Sequence, residues 1–283
     1  MEEKIIITCD SGIDMSEKLL KKYNIRLLPL VIHMGNEEYL DFEEAKPDDI
    51  LKFHDDTGQL ASTSAPTVEH SFRFFTRLVH MGYTVIHFSM SSGMSSAYDN
   101  AKTAAETFER VHVIDTLTAS AGGTLLVIAA AEMLEEGKSS EEIIKKCKEL
   151  IPLVEVPFMV HDMEFLYKGG RASFLANFLA NIFNLKPSLY VDKDGRIVAG
   201  KKYSGKFEAI VPKMINDYFG NSSVINKKRL IIAHTGLSDE FLQSCKNEVS
   251  KHVEFKEIEI LHAGCTITSH LGGGALVFSW ADN

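Results

Sequence analysis

Cysteine and tryptophan are scarce in this chain of 283 residues, which has four cysteines and one tryptophan. The cysteines lie far apart, form no C-x-x-C pair and have no histidine partners at the spacing of a zinc site. The eleven histidines likewise form no H-E-x-x-H pattern. We therefore expect no disulfide framework and no bound metal, with reduced thiols at Cys9, Cys147, Cys245 and Cys265.

Basic residues are also outnumbered, with 30 Lys and Arg against 39 Asp and Glu and a formal net charge of −9. Nucleic-acid binding needs clustered positive charge at the phosphates, so we expect no nucleic-acid partner. The longest aliphatic run, residues 125–131, is far shorter than the roughly 20 residues that span a bilayer, so we expect no integral membrane segment. Residues 1–8 have acidic side chains where a signal peptide has basic ones, which predicts a cytoplasmic protein.

The length of the chain predicts about two domains. In the first half, strand-like and helix-like segments alternate, which is typical of parallel βαβ units with right-handed crossovers. The predicted strands are residues 4–8, 26–33, 83–90 and 111–115, and the predicted helices are residues 16–23, 71–81, 95–109 and 119–136.

The pattern changes after residue 150, where Pro152 and Pro157 interrupt the helical spacing. Residues 188–199 read as two strands around an Asp194-Gly195 turn, which predicts an antiparallel hairpin. Further on, we predict a helix at 238–251 between strands at 229–234 and 255–261. The fold class is therefore α/β in two domains: a parallel-sheet domain over residues 1–152 and a mixed-sheet domain over residues 153–283.

A serine-rich turn follows the strand predicted at 83–90 and leads into a helix. Backbone N–H groups and hydroxyls at Ser91, Ser92 and Gly93 then meet at the positive end of the helix, which favours anion binding. The same arrangement resembles a nucleophile elbow, but the first glycine of G-x-S-x-G is missing. We favour a binding site and keep a serine-dependent acyl hydrolase as the alternative, with Ser91 or Ser92 as nucleophile, His270 as base and Asp10 or Asp115 as the orienting carboxylate.

Two other segments combine polar groups with flexible backbone. Thr63 and Ser64 lie in a hydroxyl-rich loop that either caps the next helix or contacts a ligand. His270 precedes three glycines, which allow backbone to approach a ligand closely. A near-match to the phosphate-binding loop over residues 200–207 ends in Phe207 where Ser or Thr must bind Mg²⁺, so we expect no ATP binding by this chain.

The segment at residues 174–183 is apolar at helical spacing. Such a face normally packs in a core, and it also suits the wall of an elongated lipid pocket. The residues concerned are Phe174, Leu175, Phe178, Leu179 and Ile182.

Taken in order, these segments resemble the DegV family of bacterial fatty-acid-binding proteins. The resemblance spans nearly the whole chain. It rests on Cys9-Asp10-Ser11, Thr63-Ser64-Ala65-Pro66-Thr67, Ser91-Ser92-Gly93-Met94-Ser95, Lys168-Gly169-Gly170-Arg171, and Gly264 with His270-Leu271-Gly272-Gly273-Gly274. It implies a two-domain α/β fold that buries one long-chain fatty acid between the domains and needs no other cofactor.

The resemblance also implies roles for particular residues. The fatty-acid carboxyl group would be bound by Thr63, Ser64, Ser91, Ser92, Gly93 and His270, and the tail would lie along the helix predicted at 174–183. Lys168 and Arg171 would lie near a partner, the catalytic subunit of a fatty acid kinase. That kinase would convert the carboxyl group to an acyl phosphate for phospholipid synthesis, so the chain itself would be a non-catalytic, lipid-binding subunit.

Overall fold

The computed structural model describes residues 3–172, 185–221 and 223–283. The strands are β1 (Ile5–Asp10), β2 (Arg26–Leu28), β3 (Val31–Met34), β4 (Glu37–Leu40), β5 (Ser62–Ser64), β6 (Thr84–Ser89), β7 (Val111–Asp115), β8 (Val154–Glu155), β9 (Pro157–Met159), β10 (Leu185–Val191), β11 (Ile197–Ser204), β12 (Arg229–His234), β13 (Glu257–His262) and β14 (Leu276–Ala281). The helices are α1 (Glu17–Lys22), α2 (Pro47–Thr57), α3 (Val68–His80), α4 (Ala97–Ala105), α5 (Ser120–Glu135), α6 (Ser140–Leu150), α7 (Glu164–Lys168), α8 (Phe207–Phe219), α9 (Asp239–Ser250) and α10 (Cys265–Leu271), with a 3₁₀ turn at Ile151–Leu153.

The first half of the chain contains the expected parallel sheet, with strand order β2-β1-β6-β7 and all three pairings parallel. Every residue of β6 is buried, as expected for a central strand covered on both faces. The predicted alternation of strands and helices is confirmed here, with small shifts at the ends of the elements.

The strand predicted at residues 26–33 is wrong as a single element. Pro29 and Leu30 separate β2 from β3, and the two strands belong to different sheets. β3 lies in the middle of a three-stranded antiparallel sheet with order β4-β3-β5. Since proline has no N–H to donate to a sheet, the chain leaves the first sheet at this position.

The second half forms a seven-stranded mixed sheet with order β11-β10-β9-β14-β12-β13, in which β8 also pairs with β14. The predicted hairpin is confirmed: β10 and β11 pair antiparallel, and Gly195 at the turn has a φ of +72°. The predicted strand at 229–234 is β12, paired parallel with β13. The domain boundary predicted at residues 152 and 153 falls in the 3₁₀ turn and stays a prediction.

Helix α5 connects the two sheets. Its first half is buried all round, and it contacts β1 and β6 of the parallel sheet as well as β12 and β14 of the mixed sheet. A helix that is apolar on every face belongs in an interior, and α5 fills that position between the two halves. The largest apolar cluster accordingly includes Phe88 from the first half and Phe158 from the second. Among the described residues, no helix combines the length and apolarity needed to cross a bilayer.

Candidate functional site

A narrow cavity lies between the two halves of the molecule. Its volume is about 630 Å³, with the open solvent at its mouth included. The lining is largely apolar and comes from both halves: Leu30, Met90, Met94, Ala119, Val156, Phe158, Val191, Ile197, Ile267, Leu271 and Val277, with Thr63, Ser95, Ser120, Arg171, Thr266 and His270 as its polar members.

Thr63 and His270 bring a hydrogen bond to the wall of this cavity. Thr63 lies in β5 and His270 in the last turn of α10, and the Thr63 Oγ1 to His270 Nε2 distance is 2.9 Å. The structure thus brings together two residues that the sequence analysis predicted as carboxyl ligands. The sequence analysis expected flexible backbone in the segment around His270. Residues up to Leu271 are helical, and the glycines begin at Gly272, whose φ is +67°.

The His270 ring is neutral at physiological pH. Burial lowers its pKa from 6.5 to about 3, and the nearby positive charge of Arg171 acts in the same direction. Its Nδ1 is buried and has no hydrogen-bond partner among the described residues. A neutral imidazole can donate from one nitrogen and accept at the other, so it can join Thr63 in binding a carboxyl group without adding a buried charge.

Arg171 lies beside this pair and lines the cavity. Its guanidinium donates to the carbonyl oxygens of Gly169 at 2.9 Å and Met94 at 3.4 Å. Partial burial lowers the pKa of Arg171, yet the group stays charged because its ordinary pKa is so high. No acidic side chain forms an ion pair with Arg171 in the described parts of the chain. The sequence analysis placed this residue at a partner surface, and the structure adds that it borders the cavity.

The serine turn that drew attention in the sequence is used for contact between the two halves. The buried Ser91 hydroxyl donates to the carbonyl oxygen of Gly195 at 2.7 Å, and Ser91 Oγ accepts from the N–H of Gly93. A Cβ on Gly93 would lie 2.8 Å from the Gly195 oxygen, so only glycine allows the hairpin to approach this closely. Neither Ser91, Ser92 nor Gly93 lines the cavity, and their predicted role in binding a carboxyl group stays a prediction.

The anion expected at this turn is one of the protein's own carboxylates. Asp115 Oδ1 accepts from the N–H groups of Ser92 at 3.2 Å and Leu117 at 3.0 Å. Behind it, buried Asp10 accepts from the Ser89 hydroxyl at 2.6 Å and from the N–H of Met90 at 2.9 Å. Burial raises the pKa of Asp10 to about 6. The polar clusters at the carboxyl ends of the strands do meet, as the parallel topology predicts. Their carboxylates, however, are already hydrogen-bonded to groups within these clusters.

Ser64 lies next to Thr63 in β5 and is not part of the cavity lining. Its Oγ is 2.7 Å from Nε2 of His33, and His33 Nδ1 lies 3.5 Å from Glu38 Oε1. Successive side chains in a strand point to opposite faces, which explains why Thr63 reaches the cavity while Ser64 does not. The predicted role of Ser64 in carboxyl binding stays a prediction.

Two buried carboxylates hold the start of α10, the helix that carries His270. Asp14 Oδ1 accepts from the N–H of Gly264 at 2.7 Å, and Asp41 accepts from the N–H groups of Cys265 and Thr266, both at 3.0 Å. Carboxylates stabilise a helix start because they pair with its free N–H groups and its positive dipole end. Burial and the neighbouring Asp41 raise the pKa of Asp14 to about 7.

Several residues of the cavity were not singled out from the sequence. Ser95 and Met94 belong to the serine turn that was singled out, but the emphasis there fell on Ser91 and Ser92. Ser120 and Thr266 have hydroxyls already donated to Asp14 and Asp41, so they contribute little free polarity. The predicted tunnel residues Phe174, Leu175, Phe178, Leu179 and Ile182 lie outside the described residues.

The hydrogen bonds of the described residues do not assemble the serine hydrolase that the sequence left open. His270 is bonded to Thr63 instead of Ser91 or Ser92, and no carboxylate orients its Nδ1. Asp10 is bonded to Ser89 and Asp115 to backbone N–H groups. Within the described ranges, no group of three or more His, Cys, Asp or Glu side chains is placed to hold a metal ion.

Comparison with known proteins identifies the group to which this chain is related. A family profile described as "Uncharacterised protein, DegV family" matches residues 4–283. The chain belongs to the DegV family. A DegV domain-containing protein of Caldanaerobacter subterraneus is 32% identical over 276 residues, covering 96% of this chain and 97% of the relative.

Two DegV relatives are described by their ligand. A fatty acid-binding protein of Thermotoga maritima is 28% identical, covering 97% of this chain and 96% of the relative. A Thermus thermophilus structure, described as showing fatty acid binding of a DegV family protein, is 29% identical with a TM-score of 0.90, covering 98% of this chain and 99% of that one. The two-domain α/β fold expected from the sequence is thus confirmed, and its solved relatives include fatty-acid-binding proteins.

Proposed function

We propose that this DegV chain binds one long-chain fatty acid in the cavity between its two halves. The carboxyl group would lie at Thr63 and His270, and the tail would follow the apolar walls. The observation that carries the proposal is the hydrogen-bonded Thr63–His270 pair on the wall of a narrow, largely apolar cavity. The fatty-acid-binding descriptions of the Thermotoga and Thermus relatives support the same ligand class.

The energetics suit such a ligand. Burying about 14 methylenes at about 0.8 kcal/mol each yields roughly 11 kcal/mol, more than enough to offset the several kcal/mol lost on association. A carboxyl group is costly to bury unless its oxygens are hydrogen-bonded. Thr63, neutral His270 and the guanidinium of Arg171 offer donors beside one another, and Arg171 has no acidic partner in the described residues to compete with the ligand.

The second half of the proposal concerns what becomes of the bound acid. The chain would be a non-catalytic, cytoplasmic subunit that presents the carboxyl group to a fatty acid kinase for acyl-phosphate formation, feeding phospholipid synthesis. This step follows from the family resemblance. It is supported by the exposed position of Arg171 beside the cavity, because a partner that reached Arg171 would also be close to the carboxyl group.

Native mass spectrometry of the purified protein, followed by solvent extraction, tests the binding proposal. We expect one long-chain fatty acid per chain, or uptake of one when the stripped protein is offered fatty acid. A protein that is empty and takes up none would overturn the proposal. The same preparation should not hydrolyse p-nitrophenyl esters, and steady turnover abolished by Ser91→Ala or Ser92→Ala would instead favour the hydrolase.

A further inference from the structure

A second, wider cleft lies next to the interdomain cavity. Its volume is about 1440 Å³, against about 630 Å³ for the cavity, with the adjoining open solvent included in both. Its lining includes the charged side chains of Asp115, Lys148, Glu155, Asp192 and Lys193. The cleft is therefore wider than the cavity and carries charged side chains, although apolar residues such as Leu117, Ile151 and Val154 also line it.

Two side chains separate these spaces. Among the described residues, Val156 and Val191 are the ones that line both the cavity and the outer cleft. They lie on neighbouring segments of the mixed sheet, where the N–H of Val191 donates to the carbonyl oxygen of Val156 at 3.3 Å. Val156 belongs to the same apolar cluster as Phe158 and Val277, which also line the cavity.

Val156 belongs to the second half of the chain and packs against α5 of the first half. A Cβ built on Gly122 in α5 would lie 2.6 Å from Cγ2 of Val156, so the valine methyl packs directly on the glycine backbone. A side chain at position 122 would collide with both Val156 and Thr118. The pair forms a tight contact between the mixed sheet and α5 at the border of the cavity.

Along the chain, this contact and the polar end of the cavity lie on opposite sides of β9. From Val156 the chain runs along β9 past Phe158 and into α7, and each strand residue advances about 3.3 Å. Gly169, just after α7, lies against His270, because a Cβ at Gly169 would be 2.7 Å from His270 Nδ1. A fatty acid with its carboxyl group at His270 and its tail along β9 would therefore point its methyl end at Val156.

We propose that Val156 and Val191 form the end wall of the fatty-acid site and set the longest acyl chain that the protein binds. The inference rests on the proposed function. Methylenes up to the wall exchange water for apolar contacts at about 0.8 kcal/mol each. Any further methylene must displace a valine packed on Gly122 or enter the outer cleft, which is wide and carries five charged side chains, so longer acids are bound less tightly.

Competition among fatty acids tests the wall. Stripped protein is incubated with an equimolar series of saturated straight-chain acids, and the bound species are counted by native mass spectrometry. Val156→Ala and, separately, Val191→Ala should shift the bound population to longer acids. We compare the bound amount of the longest acid in the series with that of the acid that wild type binds best. This ratio should rise about tenfold in the variants, which is the lower end of the discrimination that one methylene provides in an apolar pocket. Val156→Leu should shift the population to shorter acids.

Val211→Ala is the matched control, because Val211 is a buried valine of α8 that lines neither the cavity nor the outer cleft. It removes the same side-chain volume away from both spaces, so its chain-length profile should match that of the wild type. If wild type binds fatty acids but both wall variants keep its profile, the wall is refuted while the proposed function stands. If wild type binds no fatty acid, both fall. The same shift in Val211→Ala would also refute the wall, since a general loosening of the fold would explain it.

Discussion

Thr63 and His270 are 207 positions apart in the sequence and meet through the packing of α10 against β5. Each residue alone has an ordinary explanation, a helix cap for the threonine and a buried ring for the histidine. Their hydrogen bond beside an apolar cavity gives them a shared role, because a buried carboxyl group needs donors of this kind.

Thr63→Val removes one of these donors at nearly constant volume. We expect fatty-acid affinity to fall by about 1–3 kcal/mol, roughly 5- to 150-fold in Kd, because the ligand oxygen and His270 Nε2 both lose a partner. Titration with a fluorescent fatty acid measures the change. Thr63→Ser keeps the hydroxyl and should bind close to wild type.

Ser91→Ala provides the contrast at the serine turn. Its hydroxyl is donated to Gly195 and not to the cavity, so the variant should bind fatty acid normally while the protein unfolds more easily. Loss of affinity in Ser91→Ala with none in Thr63→Val would place the carboxyl group at the serine turn instead.

The candidate site could be predicted from the sequence in part. The hydroxyl at Thr63 and the imidazole at His270 follow from local pattern together with the family resemblance. The use of Ser91 for contact with the hairpin could not be predicted, because it depends on Gly195, 104 positions away. The same is true of Asp115, whose carboxylate takes the N–H groups that the sequence offered to a ligand.

At the scale of elements, α10 carries four of the cavity's lining residues: Thr266, Ile267, His270 and Leu271. Its start is held by Asp14 and Asp41, which come from the other half of the molecule. Correct placement of His270 thus depends on two buried carboxylates about one helix turn away. One of them, Asp14, has its pKa raised to about 7 by burial.

A raised carboxyl pKa means that the folded state holds its proton more tightly than the unfolded state does. Between the ordinary pKa of 3.8 and about 7, the stability contributed by Asp14 therefore falls as pH rises. Asp14→Asn removes the titration while keeping an oxygen for the Gly264 N–H. We expect the melting temperature of the variant, relative to wild type, to rise between about pH 5 and about pH 8.

Asp55→Asn makes the same substitution at an exposed position of α2 and serves as the matched control. Thermal unfolding followed by circular dichroism at both pH values measures the difference. If the relative stability of Asp14→Asn is flat over this range, the buried carboxylate does not titrate there and the raised pKa is refuted.

Element prediction succeeded where local pattern determines structure. The β10–β11 hairpin follows from an Asp-Gly turn between apolar runs, and the βα alternation follows from a change of period. It failed at β3 and β5, which are short strands stabilised by distant partners in a separate sheet. Pro29 between β2 and β3 was the local signal that could have divided the strand predicted at 26–33.

At the scale of the whole molecule, the proposed kinase contact can be separated from lipid binding. Lys168 is exposed at the end of α7 and pairs with Glu164 of the same helix. It does not line the cavity. Lys168→Glu should therefore slow acyl-phosphate formation by a bacterial fatty acid kinase with ATP while leaving the bound fatty acid in place, because only the partner surface changes charge.

Lys146→Glu is a fitting control, since Lys146 is an exposed lysine paired with Glu149 on α6 and does not line the cavity. The fatty acid bound to this variant should be phosphorylated by the kinase at the wild-type rate. Equal rates for Lys168→Glu and wild type would remove Lys168 from the partner surface. Loss of bound lipid in Lys168→Glu would show that the residue acts on the fold.

The position of the cavity between two sheets that share α5 has a consequence for kinetics. Since the walls come from both halves, motion of one half against the other would widen the path by which a bound acyl chain leaves. The residence time of the ligand then depends on how often this interface opens. The Val156–Gly122 and Ser91–Gly195 contacts slow that opening. A partner that weakens these contacts would speed exchange of the bound fatty acid without touching its carboxyl group.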